Sequence, residues 1–144
     1  MLVRVIFLKY LDPQNPVVDV HIHGLIVPNI LINLGVAINV MNQQAILKLN
    51  LQGDFRKTTI VLQLAGRSRV APEGVVEDVM VYIDSWECPT DSLVLQPKNK
   101  LNRYPLILGM SWLATVDAYI SCRFGNMTIN NGHLSKKMVL YPPS

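Results

Sequence analysis

Apolar residues alternate with polar ones in short runs along most of this chain, which is the pattern of half-buried β-strands. The clearest run spans residues 17–23, where every second side chain, at Val18, Val20 and Ile22, is apolar. Proline, glycine and asparagine separate the runs and predict frequent turns. Further strands are predicted at residues 25–27, 30–32, 58–64, 69–76, 79–86, 92–95, 105–109, 118–122, 127–130 and 137–141.

Helical spacing is confined to two short stretches. Apolar residues recur three or four positions apart between residues 41 and 49, with Asn39 and Asn42 as alternative N-caps. A second stretch lies at about residues 109–116, and a turn is predicted at residues 87–90. Many short strands with brief helices, and no alternation of strand and helix, predict an all-β domain.

Turn-forming residues at 12–16 divide the chain into an N-terminal extension, residues 1–16, and a domain spanning residues 17–144. With 144 residues, 50% of them hydrophobic and 16% charged, the chain suits one domain with a compact core. Arg4 and Lys9 interrupt the apolar start, which is then too short for a secretory signal or a membrane span. We therefore expect a cytoplasmic protein without a membrane partner.

The ionisable residues form no pattern that indicates nucleic acid or metal. The formal charge of +3 comes from short, dispersed basic pairs, which are typical of solvated loops. Cys88 and Cys122 lack the spacing of a metal or redox motif and indicate reduced thiols. His21 and His23 share a strand face, but no third ligand accompanies them at a telling spacing. We expect no metal, no cofactor and no nucleic-acid partner.

Asn33 and Gly35 interrupt the otherwise apolar segment at residues 30–40. An asparagine two positions before a glycine can hydrogen-bond the backbone amides of a tight turn, and the glycine lets the chain turn sharply. An ordinary strand, turn and strand fits this pattern, and so does a functional loop. The neighbouring segments decide between the two.

A hairpin is predicted between residues 58 and 76. Its tip, formed by Ala65, Gly66, Arg67 and Ser68, is polar and contains a glycine. Such a tip can move as a lid over a cleft. An ordinary surface hairpin is the alternative, and the residues by themselves favour it.

Three segments, in this order, resemble the retropepsin-type aspartic proteases. Asn33, Leu34 and Gly35 resemble the Asp-Thr/Ser-Gly active-site loop, with Asn33 at the aspartate position. The hairpin stands where that family has its flap, and Leu-Ile-Leu-Gly at residues 106–109 resembles the strand before its C-terminal helix. Three stretches are similar in wording to the protease domains of plant retroelement Gag-Pol polyproteins: Val-Leu-Gln-Leu-Ala, Pro-Glu-Gly-Val and Leu-Ile-Leu-Gly-x-x-Trp-Leu.

The resemblance implies a single-lobed, closed β-barrel with a flap hairpin that acts as a homodimer on an extended peptide or polyprotein. In the family, each subunit offers one aspartate, and the two carboxylates share a proton. One acts as base on a water molecule while the other protonates the peptide carbonyl oxygen. Strands at residues 3–7 and 139–141 are candidates for an intersubunit sheet. The resemblance assigns Leu34 and Gly35 to the catalytic loop and the substrate contacts to Val36, Ala37, Ala65, Gly66, Arg67, Ser68 and Ile107.

Asn33 departs from the family pattern at the position of the catalytic aspartate. A carboxamide neither accepts nor releases a proton at a useful pH, and Leu34 lacks the hydroxyl of many relatives. No other aspartate precedes a glycine by two positions at the end of an apolar strand. The sequence therefore predicts an aspartic endopeptidase impaired in cleavage. An inactive pseudoprotease that dimerises or binds peptides is the alternative, and a small β-barrel adaptor unrelated to proteolysis is a third hypothesis.

Overall fold

The structure is a computed structural model that describes residues 16–63 and 69–142. Two helices of six residues each accompany the strands, α1 (Gln43–Lys48) and α2 (Met110–Thr115). Short 3₁₀ turns occupy Gln52–Asp54 and Lys100–Arg103. The strands are β1 (Val17–Ile22), β2 (Leu25–Ile32), β3 (Asn39–Met41), β4 (Phe55–Arg56), β5 (Leu62–Gln63), β6 (Arg69–Val70), β7 (Gly74–Ile83), β8 (Trp86–Val94), β9 (Leu106–Leu108), β10 (Tyr119–Ser121), β11 (Asn126–Asn130) and β12 (Ser135–Val139).

Six of these strands close into a barrel. Their order is β1, β2, β9, β3, β8 and β7, and β7 returns to β1 through the pairing of Tyr82 with His21. The pairs β2 with β9 and β3 with β8 are parallel, whereas the other neighbours in the barrel are antiparallel. The predicted all-β class, the closed barrel and the short helices are confirmed.

The alternating pattern of the strands fills the barrel with aliphatic side chains. In β1 the three predicted inward residues, Val18, Val20 and Ile22, are buried, while His21 is exposed. β7 repeats the pattern, because its buried residues also fall at every second position near its end. Removing such side chains from water is the main source of stability, at about 25 cal/mol per Å² of apolar surface.

A second buried cluster joins the barrel wall to the loop that follows β2. Leu31, Val40 and Ile107 belong to it, and so does Val36 from the loop. The loop is therefore anchored by its own apolar side chain as well as by the strands on either side. Helix α1 is capped by Asn42, one of the two predicted alternatives, whose side-chain oxygen accepts a hydrogen bond from Ala45 N–H at 2.7 Å.

The first strand of the predicted hairpin is much shorter than its sequence pattern suggests. The run at residues 58–64 predicts a continuous strand, but residues 57–61 lie outside any strand and only Leu62–Gln63 pairs, with Arg69–Val70. Ile60 and Val61 are exposed. Threonine, isoleucine and valine favour strands because they pack on a neighbouring strand, and residues 57–61 have no such neighbour among the described residues. The tip residues Ala65, Gly66, Arg67 and Ser68 lie outside the described residues.

The turn predicted at residues 87–90 is wrong. The chain turns three residues earlier than predicted, at Asp84 and Ser85, and β8 then runs without interruption through Pro89. Asp84 adopts a positive φ of 50°, which a short polar side chain tolerates. Proline is accepted in β8 because β3 pairs only with residues 92–94, which leaves one side of Pro89 without a neighbouring strand.

The C-terminal strands form a separate three-stranded sheet in the order β10, β11, β12. This sheet is tied to the barrel where Val17 and Tyr141 exchange two backbone hydrogen bonds, of 2.8 and 2.9 Å. Tyr141 is therefore already paired within its own subunit. Residues 3–7, the other candidate for an intersubunit sheet, and all of the extension except Pro16 lie outside the described residues. No helix in the described part of the chain is long and apolar enough to cross a membrane.

We expect iodoacetamide to label Cys122 rapidly and Cys88 only after unfolding. Cys122 is exposed beyond β10, whereas Cys88 is buried within β8. Burial raises the pKa of the Cys88 thiol, so the reactive thiolate is scarce near neutral pH. Mass spectrometry of the labelled peptides, with and without denaturant, gives the comparison. Equal labelling of both cysteines in the native protein would contradict the burial of Cys88.

Candidate active site

The loop that connects β2 to β3 is held against β9 and α2 by backbone hydrogen bonds. Asn33 N–H donates to the carbonyl of Leu108 at 3.1 Å. Farther along, the N–H groups of Met110 and Ser111, at the start of α2, donate to the carbonyls of Val36 and Ala37 at 2.8 and 3.0 Å. The loop is thus fixed at both ends on β9 and α2, which lie more than 70 residues away in sequence. Hydrogen bonds between the strands of the barrel hold β9 in place in turn.

The Asn33 side chain lies at the mouth of this loop, half-buried. Its Oδ1 accepts a hydrogen bond of 2.8 Å from Gly35 N–H. A Cβ at position 35 would lie 3.1 Å from that oxygen, so glycine leaves the room that the turn needs. An aspartate carboxylate would accept the same bond. Nδ2 of Asn33 has no hydrogen-bond acceptor among the described residues.

Asn39 connects the loop to two distant strands. Only 4% of this residue is exposed. Its Oδ1 accepts from Gly109 N–H and its Nδ2 donates to the carbonyl of Asp91, both at 2.9 Å. The fit at Gly109 is tight, because a Cβ there would lie 2.5 Å from the carbonyl oxygens of Val36 and Ile38. The sequence offered Asn39 only as an alternative helix cap; the available signal was a polar residue at the start of an apolar strand.

A cavity of ≈ 600 Å³ opens beside Asn33. One wall is the loop itself, with Leu34 57% exposed. The opposite wall comes from the turn between β10 and β11 and from the C-terminal segment, where Phe124 and Tyr141 are exposed. Among the described residues that line this cavity, none carries a carboxylate. As it stands, the site has hydrogen-bonding groups and apolar surface, but no group that titrates as an aspartate does.

A second cavity, of ≈ 630 Å³, lies where the loop meets β3. Ile38 and Ser92 belong to its lining, and the ion pair between Arg56 and Glu77 borders it. The exposed Ile60 lines it too, from the segment that leads to the hairpin. The loop therefore contributes to two separate cavities, one at Asn33 to Gly35 and one at Ile38 and Asn39.

The residues assigned to the site by resemblance differ in accessibility. Ala37 is exposed, as are Leu34 and Gly35. Val36 and Ile107 are buried in the cluster that anchors the loop, and Ile107 has no exposed surface. Their contact with substrate stays a prediction. Within the described residues, no three side chains of histidine, cysteine, aspartate or glutamate come together as a metal site requires, and His23 Nδ1 bonds the carbonyl oxygen of Leu49 at 2.8 Å.

Known structures are similar to this chain over most of its length. The retroviral protease-like domain of Ddi1 from Leishmania major matches with a TM-score of 0.70 and 17% identity, covering 91% of this chain and 97% of that domain. EIAV protease in complex with the inhibitor HBY-793 matches with a TM-score of 0.59 and 18% identity, covering 79% and 99%. At such identities the likeness establishes the retropepsin-like fold.

Family membership rests on a separate comparison. No curated protein matches the chain. The family described as "Retroviral aspartyl protease" matches residues 16–135, which is most of the chain and includes the loop, the barrel and α2. The chain belongs to the retroviral aspartyl protease family.

Proposed function

We propose that this chain is a retroelement-derived aspartic endopeptidase domain that binds extended peptides or polyproteins as a homodimer, and that Asn33 impairs its cleavage step. The observation that carries the proposal is the loop of Asn33 and Gly35, fixed on β9 and α2 in a retropepsin-like barrel. The plant retroelement origin rests on the sequence resemblance at residues 61–65, 72–75 and 106–113.

The impairment follows from proton chemistry. Hydrolysis of a peptide by this type of site needs one group that removes a proton from water and one that protonates the carbonyl oxygen. Two facing carboxylates do both because they share one proton. Two copies of Asn33 offer hydrogen bonds but exchange no proton. The loop geometry is compatible with aspartate, so the impairment that we propose lies in the chemistry of the side chain at position 33.

An inactive pseudoprotease that dimerises or binds peptides is the second candidate, and Asn33 is the observation that favours it. Both candidates keep the same fold and the same loop, although the second needs only dimerisation or only peptide binding. They differ in whether any cleavage remains, so binding of a peptide is tested before cleavage.

The test of the shared proposal is binding of an extended peptide that carries a statine residue, a mimic of the transition state. Isothermal titration calorimetry against this peptide is compared with a scrambled peptide of the same composition and with a helical one. We expect the statine peptide to bind best, with one peptide per two chains, because a single cleft spans both subunits. Equal binding of all three peptides would contradict the proposal and favour a β-barrel adaptor.

We expect Leu34→Glu to weaken the dimer by about 100-fold or more. Leu34 is exposed in the single chain and lines the cavity beside Asn33, which the second subunit would cover in the proposed homodimer. Burying a leucine is worth about 1.5–3 kcal/mol, and each dimer loses two. Leu47→Glu is the matched control, because Leu47 is 62% exposed on α1, against 57% for Leu34. Sedimentation equilibrium gives both dissociation constants, and equal weakening by the two variants would contradict this interface.

A further inference from the structure

A third concave surface lies between β2 and α1. This groove of ≈ 500 Å³, here named the β2–α1 groove, shares no lining residue with the two cavities beside the active-site loop. Leu25, Ile26 and Pro28 form its β2 wall, and Lys48 and Arg103 lie on the other side. Nothing in the proposed proteolytic chemistry uses it.

The β2 wall is apolar and open. Leu25 is 50% and Ile26 is 65% exposed. Contiguous exposed apolar side chains beside a groove are typical of a surface that a partner covers. Along this part of β2, the strand pairs with β1 on one side, while β9 pairs only with Leu31 and Ile32. The other edge of β2 at residues 25–29 is therefore unpaired within the described part of the chain.

Pro28 limits how a partner can use this free edge. Proline has no N–H to donate, so a partner strand cannot continue its hydrogen-bond ladder past that position. Asn29, which also lines the groove, adds one unmet acceptor, because its Oδ1 is buried and has no hydrogen-bond donor among the described residues. Docking by side chains, with at most a few backbone contacts, fits this wall better than addition of a full strand.

The charge of the groove is positive. Lys48 and Arg103 are both exposed, and neither forms an ion pair with a described residue. The described residues that line the groove include no carboxylate. The groove is therefore complementary to a ligand that carries both carboxylates and apolar side chains. The carboxylates would face Lys48 and Arg103, and the apolar side chains would contact the β2 wall.

We propose that the β2–α1 groove docks a linear acidic segment of a partner protein, anchored by apolar side chains against Leu25 and Ile26. Nucleic acid fits less well, because the described lining of the groove contains no aromatic side chain on which a base could stack. The chain's own residues 1–15 fit less well too, because they carry Arg4 and Lys9 against the single carboxylate of Asp12.

The test uses the full chain and a fluorescein-labelled peptide in which glutamates surround a central leucine and phenylalanine. Fluorescence anisotropy is measured for the unaltered protein, for Lys48→Glu with Arg103→Glu, and for Ile26→Ser. Lys98→Glu with Lys137→Glu is the matched control, because it changes the net charge equally at exposed lysines outside the groove. Circular dichroism of each variant confirms that it folds.

We expect the groove double variant to bind the peptide at least about tenfold more weakly, since two attractions become repulsions. The control should bind within about twofold of the unaltered protein, and Ile26→Ser should weaken binding several-fold without changing its dependence on salt. An unlabelled statine peptide should not displace the acidic one, which separates this groove from the proteolytic cleft.

Four results would overturn the proposal. The first is absence of binding by the unaltered protein, and the second is equal weakening by the groove and control variants. The third is binding of a single-stranded oligonucleotide that is tighter than that of the peptide and equally sensitive to Lys48 and Arg103, which would assign the groove to nucleic acid. The fourth is displacement of the acidic peptide by the statine peptide, which would place both in the cleft.

Discussion

Replacing Asn33 with aspartate is expected to raise the rate of peptide cleavage by about 10² to 10⁴ or more, because the change supplies both the acid and the base of the reaction. The new carboxylate can keep the hydrogen bond that Oδ1 accepts from Gly35 N–H at 2.8 Å, so the loop needs no rearrangement. In a homodimer, the two carboxylates would be too close for both to ionise, and they would share one proton. The gain should therefore be largest between about pH 4 and 6.

Initial rates on a mixed library of quenched fluorescent peptides give the measurement, with the oligomeric state recorded for each protein. Asn50→Asp is the matched control, because it makes the same substitution at an exposed residue whose φ of 56° aspartate also tolerates. Only Asn33→Asp should cleave, and a statine inhibitor should stop it. Equal, inhibitable cleavage by the unaltered protein would show that another carboxylate is responsible. If the unaltered protein and Asn33→Asp both dimerise and neither cleaves, the result favours the pseudoprotease alternative.

Asn39→Ala is expected to lower the free energy of unfolding by about 2–4 kcal/mol, the largest loss of stability that we predict for a single polar side chain. The variant leaves the buried N–H of Gly109 without an acceptor and the carbonyl of Asp91 without this donor. An unsatisfied buried group costs about 1–3 kcal/mol. Because the same side chain joins the loop to β8 and β9, we also expect the active-site loop to loosen.

Urea unfolding followed by tryptophan fluorescence measures the change, and Gln44→Ala on the exposed face of α1 is the control. Asn39→Asp sharpens the test: it keeps an oxygen for Gly109 N–H but places a carboxylate against the carbonyl of Asp91. Its stability should recover partly at low pH, where the carboxyl is protonated and can donate to that carbonyl. A loss below about 0.5 kcal/mol for Asn39→Ala, typical of surface sites, would contradict the role of this residue.

Local patterns predicted the elements whose hydrogen bonds and burial follow a short period. The alternation of Val18, Val20 and Ile22 defines the inward face of β1, and the Asn42 cap defines the start of α1. The turn at Asn33 is likewise local, because its side chain bonds an amide only two residues away. Such features depend on neighbours along the chain, and a pattern of residue types records them.

Strand ends depended on partners and were predicted less well. Residues 57–61 have the composition of a strand, yet no strand lies beside them among the described residues. Proline is typical of turns, yet Pro89 continues β8, because β3 does not extend far enough to need its missing N–H. In both cases the deciding quantity is the presence or absence of a neighbouring strand, which residue type alone does not encode.

The sequence by itself determined the class of fold and singled out the turn of Asn33 and Gly35 as the candidate active site, because strand alternation and this turn are both recorded by residues close together in the chain. Only the tertiary structure decided how that loop is held. Asn39 reaches Asp91 across 52 residues and Gly109 across 70, and the fit at Gly109 depends on two carbonyls of the loop itself. The tertiary structure also places Lys48 and Arg103 in one groove. Contacts at such separations exist only once the barrel has closed, because only then do the distant segments occupy the same volume.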